Sequence, residues 1–113
     1  MNTHDMQKNI LAPIILFVYN RSEHTRLTVE ALQKNILAKD SELFIYSDAA
    51  KNKNSEQEVN KVREYIKNIE GFKSIRITER EKNFGLANSI IDGVGKVINE
   101  YGKAIVLEDD IIT

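Results

Sequence analysis

The chain contains no cysteine. Disulfides, thiol nucleophiles and thiolate metal centres are therefore excluded, and nothing ties the chain to an oxidising compartment. Proline occurs once, at Pro13, and no internal repeat or low-complexity segment is visible. Neither sign of charge dominates: 16 basic residues face 17 acidic ones, for a formal charge of -1. No global field would draw the protein onto nucleic acid or an anionic membrane surface. Long apolar runs are also missing. The longest, residues 14–19, is far too short to cross a bilayer. Where a signal peptide would be apolar, the chain carries His4, Asp5, Gln7 and Lys8. The familiar phosphate and hydrolase signatures are absent too: no G-x-x-x-x-G-K-[ST], no G-x-G-x-x-G after the first apolar run, no G-x-S-x-G and no H-E-x-x-H.

What is present suits one soluble globular domain. The 113 residues are 42% hydrophobic and 29% charged, enough for a single core and too apolar for a disordered chain. Residues 1–12 read as a flexible leader. Ile14-Ile15-Leu16-Phe17-Val18-Tyr19 is continuously apolar and β-branched, which predicts a strand buried on both faces. Ser22 or a neighbour caps a helix to about residue 38, with Leu27, Ala31, Leu32 and Ile36 on its inner face. Leu43-Phe44-Ile45-Tyr46 is a second buried strand. Ser55-Glu56-Gln57-Glu58 has the form of a capping box, opening a helix with Val59, Val62, Ile66 and Ile69 inward and Gly71 at its end. Residues 74–78 alternate, as in a more exposed third strand. A third helix spans about residues 86–101, with Leu86, Ile90, Val94, Val97 and Ile98 inward and Gly102 closing it. Ala104-Ile105-Val106-Leu107 is the fourth strand. The order β-α-β-α-β-α-β predicts a Rossmann-like three-layer α/β/α fold with a mainly parallel sheet and helices on both faces.

In an open parallel sheet, ligands bind outside the carboxyl ends of the strands. Those ends carry Tyr19, Asn20 and Arg21 after strand one, Ser47 and Asp48 after strand two, Arg80, Lys82 and Asn83 after strand three, and Glu108, Asp109 and Asp110 after strand four. Three adjacent carboxylates repel one another unless a cation or strong donors compensate. Hard oxygen ligands suit Mg²⁺ or Mn²⁺, commonly held by one or two carboxylates together with substrate phosphates. An acidic run by itself is more often a solvated strand exit. Arg21 can equally pair with Glu23, Asp48 can cap a turn, and residues 83–85 can be a plain helix start. Phe84 and Tyr101 read as core residues rather than stacking platforms.

Four segments together carry a family resemblance. They are Pro13-Ile14-Ile15-Leu16-Phe17-Val18-Tyr19-Asn20-Arg21, Tyr46-Ser47-Asp48-Ala49, Glu81-Lys82-Asn83-Phe84-Gly85-Leu86-Ala87 and Val106-Leu107-Glu108-Asp109-Asp110-Ile111. In this order they resemble the start of GT-A-fold glycosyltransferases, of the family 2-like and N-acetylglucosaminyltransferase I-like types, with Glu108-Asp109-Asp110 as a variant of the DxD motif. The resemblance covers residues 13–112. It implies that residues 13–113 are the nucleotide-sugar-binding N-terminal half of such a domain. Tyr19, Asn20 and Arg21 would line the nucleotide cleft, with Arg21 near the diphosphate. Asp48 would hydrogen-bond the base, and Asn83, Gly85 and Leu86 would shape the adjoining loop. Glu108 and Asp109 would approach the ribose and sugar, and Asp110, with Asp109 beside it, would bind Mn²⁺ or Mg²⁺.

The same resemblance implies a nucleotide-diphosphate sugar donor and a glycan, lipid-linked or protein acceptor. It implies a cytoplasmic enzyme at the inner face of a membrane, held there peripherally by the full-length protein. Members of the family continue well past this point and supply the acceptor site and any catalytic base there, so no catalytic residue is assigned. This stretch alone is expected to transfer no sugar, and a bare edge at strand four is expected to favour self-association. Three alternatives stay open, one of them a plain interaction domain, since fold alone does not fix function. A sugar-nucleotide nucleotidyltransferase would carry a glycine-rich loop after strand one, where Tyr19-Asn20-Arg21-Ser22 has none. A receiver-like signalling domain would carry its acid cluster after strand one rather than strand four.

Overall fold

The computed structural model describes residues 11–35 and 37–108. Its elements are β1 (Ile14–Val18), α1 (Ser22–Gln33), a 3₁₀ turn (Ala38–Asp40), β2 (Glu42–Ser47), α2 (Lys53–Ile66), β3 (Ser74–Glu79), α3 (Leu86–Tyr101) and β4 (Ile105–Glu108). The four strands form one all-parallel sheet in the order β3-β2-β1-β4. The chain winds from β1 outward to β3, then crosses to the far side of β1. This reversal makes the β1–β4 boundary the topological switch point, where the carboxyl ends of neighbouring strands leave a crevice.

Strand β1 is buried along its whole length because it is paired on both edges and covered on both faces. Its side chains alternate between two cores. Ile14, Leu16 and Val18 join Leu43, Ile45, Val29 of α1 and Val62 and Ile66 of α2. Ile15 and Phe17 join Phe44, Tyr46 and Val97, with Ile90 and Val94 packed alongside, under α3. Helices α1 and α2 thus cover one face and α3 the other, giving the three-layer architecture. Strand β3 lies at one edge of the sheet and is mostly exposed. Strand β4 lies at the other edge of the described sheet, with Ile105 and Val106 exposed.

Several local expectations are corrected. Helix α1 ends at Gln33, and its buried residues are Thr25, Thr28 and Val29, with Leu32 packed against the core. Leu27 and Ala31 are exposed, and Ile36 lies outside the described residues. A 100° step per residue explains the shift: the face that closes over Ile14 and Leu16 is centred on Val29, and Leu27 turns away from it. Helix α2 starts two residues before Ser55. Its cap is Asn52, whose side-chain oxygen accepts from the Ser55 N–H. It ends at Ile66, so Ile69 and Gly71 belong to the turn before β3. In α3 the buried residues are Ser89, Gly93 and Val97, while Leu86 and Ile98 are exposed.

Candidate functional site

The carboxyl ends of β2, β1 and β4 are neighbours on one edge. Register pairs Val18 with Ser47 and Phe17 with Glu108, and the Asp48 N–H extends the β1–β2 ladder by donating to the Val18 carbonyl at 3.1 Å. The segment ends that the sequence nominates therefore do meet. Tyr19 and Asn20 follow β1, and Arg21 is the N-cap residue of α1, its carbonyl accepting from the Thr25 N–H. The Arg21 side chain is exposed and makes no hydrogen bond or ion pair with any described residue. Glu108 is half-buried at the end of β4; Asp109 and Asp110 lie outside the described residues.

Two arginines hold the β2 and β3 ends. Arg63 of α2 donates from Nε to the Ser47 hydroxyl at 2.9 Å, and from Nη2 to the Ser47 carbonyl at 3.1 Å and the Arg80 carbonyl at 2.9 Å. Its fork satisfies three acceptors that water would otherwise have to reach, two of them on the fully buried Ser47. Arg80 is itself buried. Its guanidinium stands 4.8 Å from the Tyr46 ring centre and 4.1 Å from that of Phe84, and donates to Asp92 at 2.8 Å. A buried cation requires such partners. Burial would raise the Asp92 carboxyl, but the hydrogen bonds from Lys96 and Arg80 outweigh it and hold the group below its ordinary range. Burial pushes the Tyr46 phenol upward, so it stays neutral beside Arg80. Arg80 therefore belongs to the support of the site, not to its lining. Phe84 is 39% exposed and stacks on Arg80, which corrects its reading as a core residue. The sequence offered no sign of Arg63, a charged residue in the last turn of an amphipathic helix, because its partners are 16 and 17 residues away.

The loop from Arg80 to the start of α3 forms one wall. Gly85 takes φ +79, a conformation that favours glycine, and a side chain there would meet nothing within 4 Å. Its carbonyl accepts from the Ser89 N–H to open α3. Asn83 donates its amide to the Ala49 carbonyl at 2.8 Å. Opposite, the Tyr19 hydroxyl oxygen accepts the Lys51 N–H at 3.0 Å. Between these walls is a cavity of about 210 Å³ lined by Tyr19, Asp48, Lys51, Asn83, Gly85 and Leu86. Five of the six come from the residues nominated by sequence, on three separate segments. Asn20, Arg21 and Glu108 are not in its lining.

No group of three metal-ligating side chains occurs among the described residues. Glu108 brings one carboxylate to the β1–β4 corner, a donor type suited to Mg²⁺ or Mn²⁺ when joined by neighbouring aspartates and phosphate oxygens. Asp48 is not a further ligand, since backbone N–H groups occupy both of its oxygens. No helix among the described residues is long and apolar enough to cross a membrane. No protein-family model, no curated protein and no solved structure matches the chain.

Proposed function

We propose that the chain is the donor-binding part of a GT-A-type glycosyltransferase, holding a nucleotide-diphosphate sugar at the carboxyl edge of its sheet. The observation that carries this reading is the cavity between the β1, β2 and β3 ends: Tyr19, Asp48, Asn83, Gly85 and Leu86, drawn from three segments, enclose one space next to the switch point. Its mixed lining, with an aromatic ring, a leucine and polar groups from the loop, suits a flat heterocycle with hydrogen-bonding edges. A nucleoside seated there would point its diphosphate along the strand ends toward Arg21 and Glu108. Arg21 is an exposed cation that makes no hydrogen bond or ion pair among the described residues, so it can pair with a diphosphate without first breaking one of those contacts.

A divalent ion, Mn²⁺ or Mg²⁺, would be held by Asp110 and Asp109 at the end of β4, with Glu108 directed to the ribose and sugar. When bound, it would supply charge neutralisation to a departing diphosphate. The protein's own contribution is to seat the base, hold the diphosphate and keep the sugar over the β4 corner. The acceptor would be a glycan, lipid-linked or protein hydroxyl, brought to a cytoplasmic site at the membrane face by the full-length protein. Exposed Ile105 and Val106 at the β4 edge are the surface through which this chain would associate with itself.

The deciding experiment is calorimetric titration of UDP and GDP into the full-length protein, with and without Mn²⁺. Binding that strengthens with Mn²⁺ is expected, and Asp110→Ala should remove that dependence. Absence of nucleotide binding in either condition would refute the reading.

A further inference from the structure

The resemblance to glycosyltransferases directs Asp48 at the nucleotide base, but the structure fills that carboxylate from the protein side. Oδ1 accepts the Ala49 N–H at 2.9 Å and the Phe84 N–H at 2.8 Å. Oδ2 accepts the Gly85 N–H at 2.9 Å and a longer contact from the Asn83 amide at 3.4 Å. An ionised carboxylate offers about four lone-pair positions, so none is vacant. Asp48 is also 93% removed from solvent, at 7% exposure. A ring N–H could reach it only by displacing the Asn83 contact.

The same bonds orient Asn83. Its amide nitrogen faces two acceptors, the Ala49 carbonyl and Asp48, so its oxygen is turned the other way. That Oδ1 accepts no hydrogen bond from any described residue, and Asn83 lines the cavity. The turn is pinned a second time through Phe84, whose ring lies on the Arg80 guanidinium. Charge-assisted bonds to backbone N–H groups are among the stronger ones available to a loop.

We infer that Asp48 is a positioning residue that sets the turn at residues 83–85, and that the acceptor offered to a bound base is Asn83 Oδ1, not the Asp48 carboxylate. The inference rests on the nucleotide reading of the cavity for its second half only. The ligand favoured is a base with a ring N–H donor, as in uracil or guanine, over cytosine, which presents an acceptor at the equivalent position.

The test uses the full-length protein and has two arms. In the first, amide exchange is followed in wild type and Asp48→Asn. The asparagine turns an NH₂ toward one of the backbone donors, so exchange at Phe84 and Gly85 should quicken roughly tenfold or more, the loss of a bond to a charged group. Asp48→Glu, which keeps the charged acceptor, should quicken the same two amides less than Asp48→Asn. Unchanged exchange at Phe84 and Gly85 overturns the positioning role. In the second arm, UDP and CDP are titrated in parallel. Asp48→Asn should weaken both by the same factor, whereas Asn83→Ala should leave Phe84 and Gly85 protected and erase a UDP preference of about tenfold. A UDP/CDP ratio altered by Asp48→Asn but not by Asn83→Ala would overturn the assignment. If neither nucleotide binds wild type, the cavity reading and the Asn83 role both fall, while the exchange arm still decides Asp48.

Discussion

Gly93 of α3 lies directly on the Phe17 ring: a Cβ there would stand 3.0 Å from Phe17 Cε1 and Cζ, and 2.9 Å from Tyr46 Cε2. Phe17 and Tyr46 are stacked with centroids 5.4 Å apart and are both buried, so neither ring can easily yield. Helix propensity alone would make Gly93→Ala stabilising by about 1 kcal/mol. Overpacking a filled core costs about 1–3 kcal/mol, and here it should win. We expect Gly93→Ala to lower the denaturation midpoint, and Phe17→Leu in the same chain to recover part of the loss. A more stable Gly93→Ala would show that α3 does not sit this close to β1.

Arg80 and Asp92 form an ion pair in which the cation is buried and the anion half-buried. Asp92→Asn strands the guanidinium without a counter-charge, and we expect a loss of about 3 kcal/mol. The pH dependence has a definite sign. The folded carboxyl lies below its ordinary value of 3.8. Its contribution is therefore fully present above that value and is lost as pH falls through the lower folded one. Denaturant titrations between pH 5 and pH 2 should show this acid loss in wild type and a flatter profile in Asp92→Asn.

Arg21 separates binding from folding. Its side chain is exposed and unengaged among the described residues, so Arg21→Ala should leave stability within about 0.5 kcal/mol of wild type. If Arg21 holds the diphosphate, the same substitution should weaken UDP roughly tenfold and leave uridine unchanged. Equal weakening of UDP and uridine in calorimetry would move Arg21 away from the phosphates.

The start of α2 offers a check on local structure. Asn52 accepts the Ser55 N–H at 3.2 Å, so Asn52→Ala should cost about 1 kcal/mol. Ser55→Ala should cost less than about 0.5 kcal/mol. The reverse ranking in thermal melts would restore the capping box at Ser55.

Much of the architecture was legible along the chain. Ile14 to Val18 could only be a strand covered on both faces, and the alternating composition of the segments made a parallel sheet with flanking helices the economical arrangement. The third helix was read at residues 86–101, as found, since Gly85 and Gly102 bracket a strongly periodic stretch. Element faces were read less well. Leu27, Leu86 and Ile98 are apolar yet exposed, because a helix buries whatever lies on its contact arc, and that arc depends on the strands beneath it.

The candidate site divides along the same line. The polar residue types at the strand ends, and their order along the chain, were determined by the sequence alone, because strand ends follow from local pattern and parallel connection brings them to one edge. Which of those groups face the cavity was decided only by the tertiary structure. Arg80 turned inward between two rings, Arg63 arrived from α2 to clamp the strand ends, and the Asp48 carboxylate was taken by N–H groups 36 and 37 residues further on. A hydrogen bond between distant segments leaves no periodic trace in either one. It exists only because packing places a buried acceptor against unpaired donors, and leaving a buried carboxylate unmet would cost more than the bonds do to form.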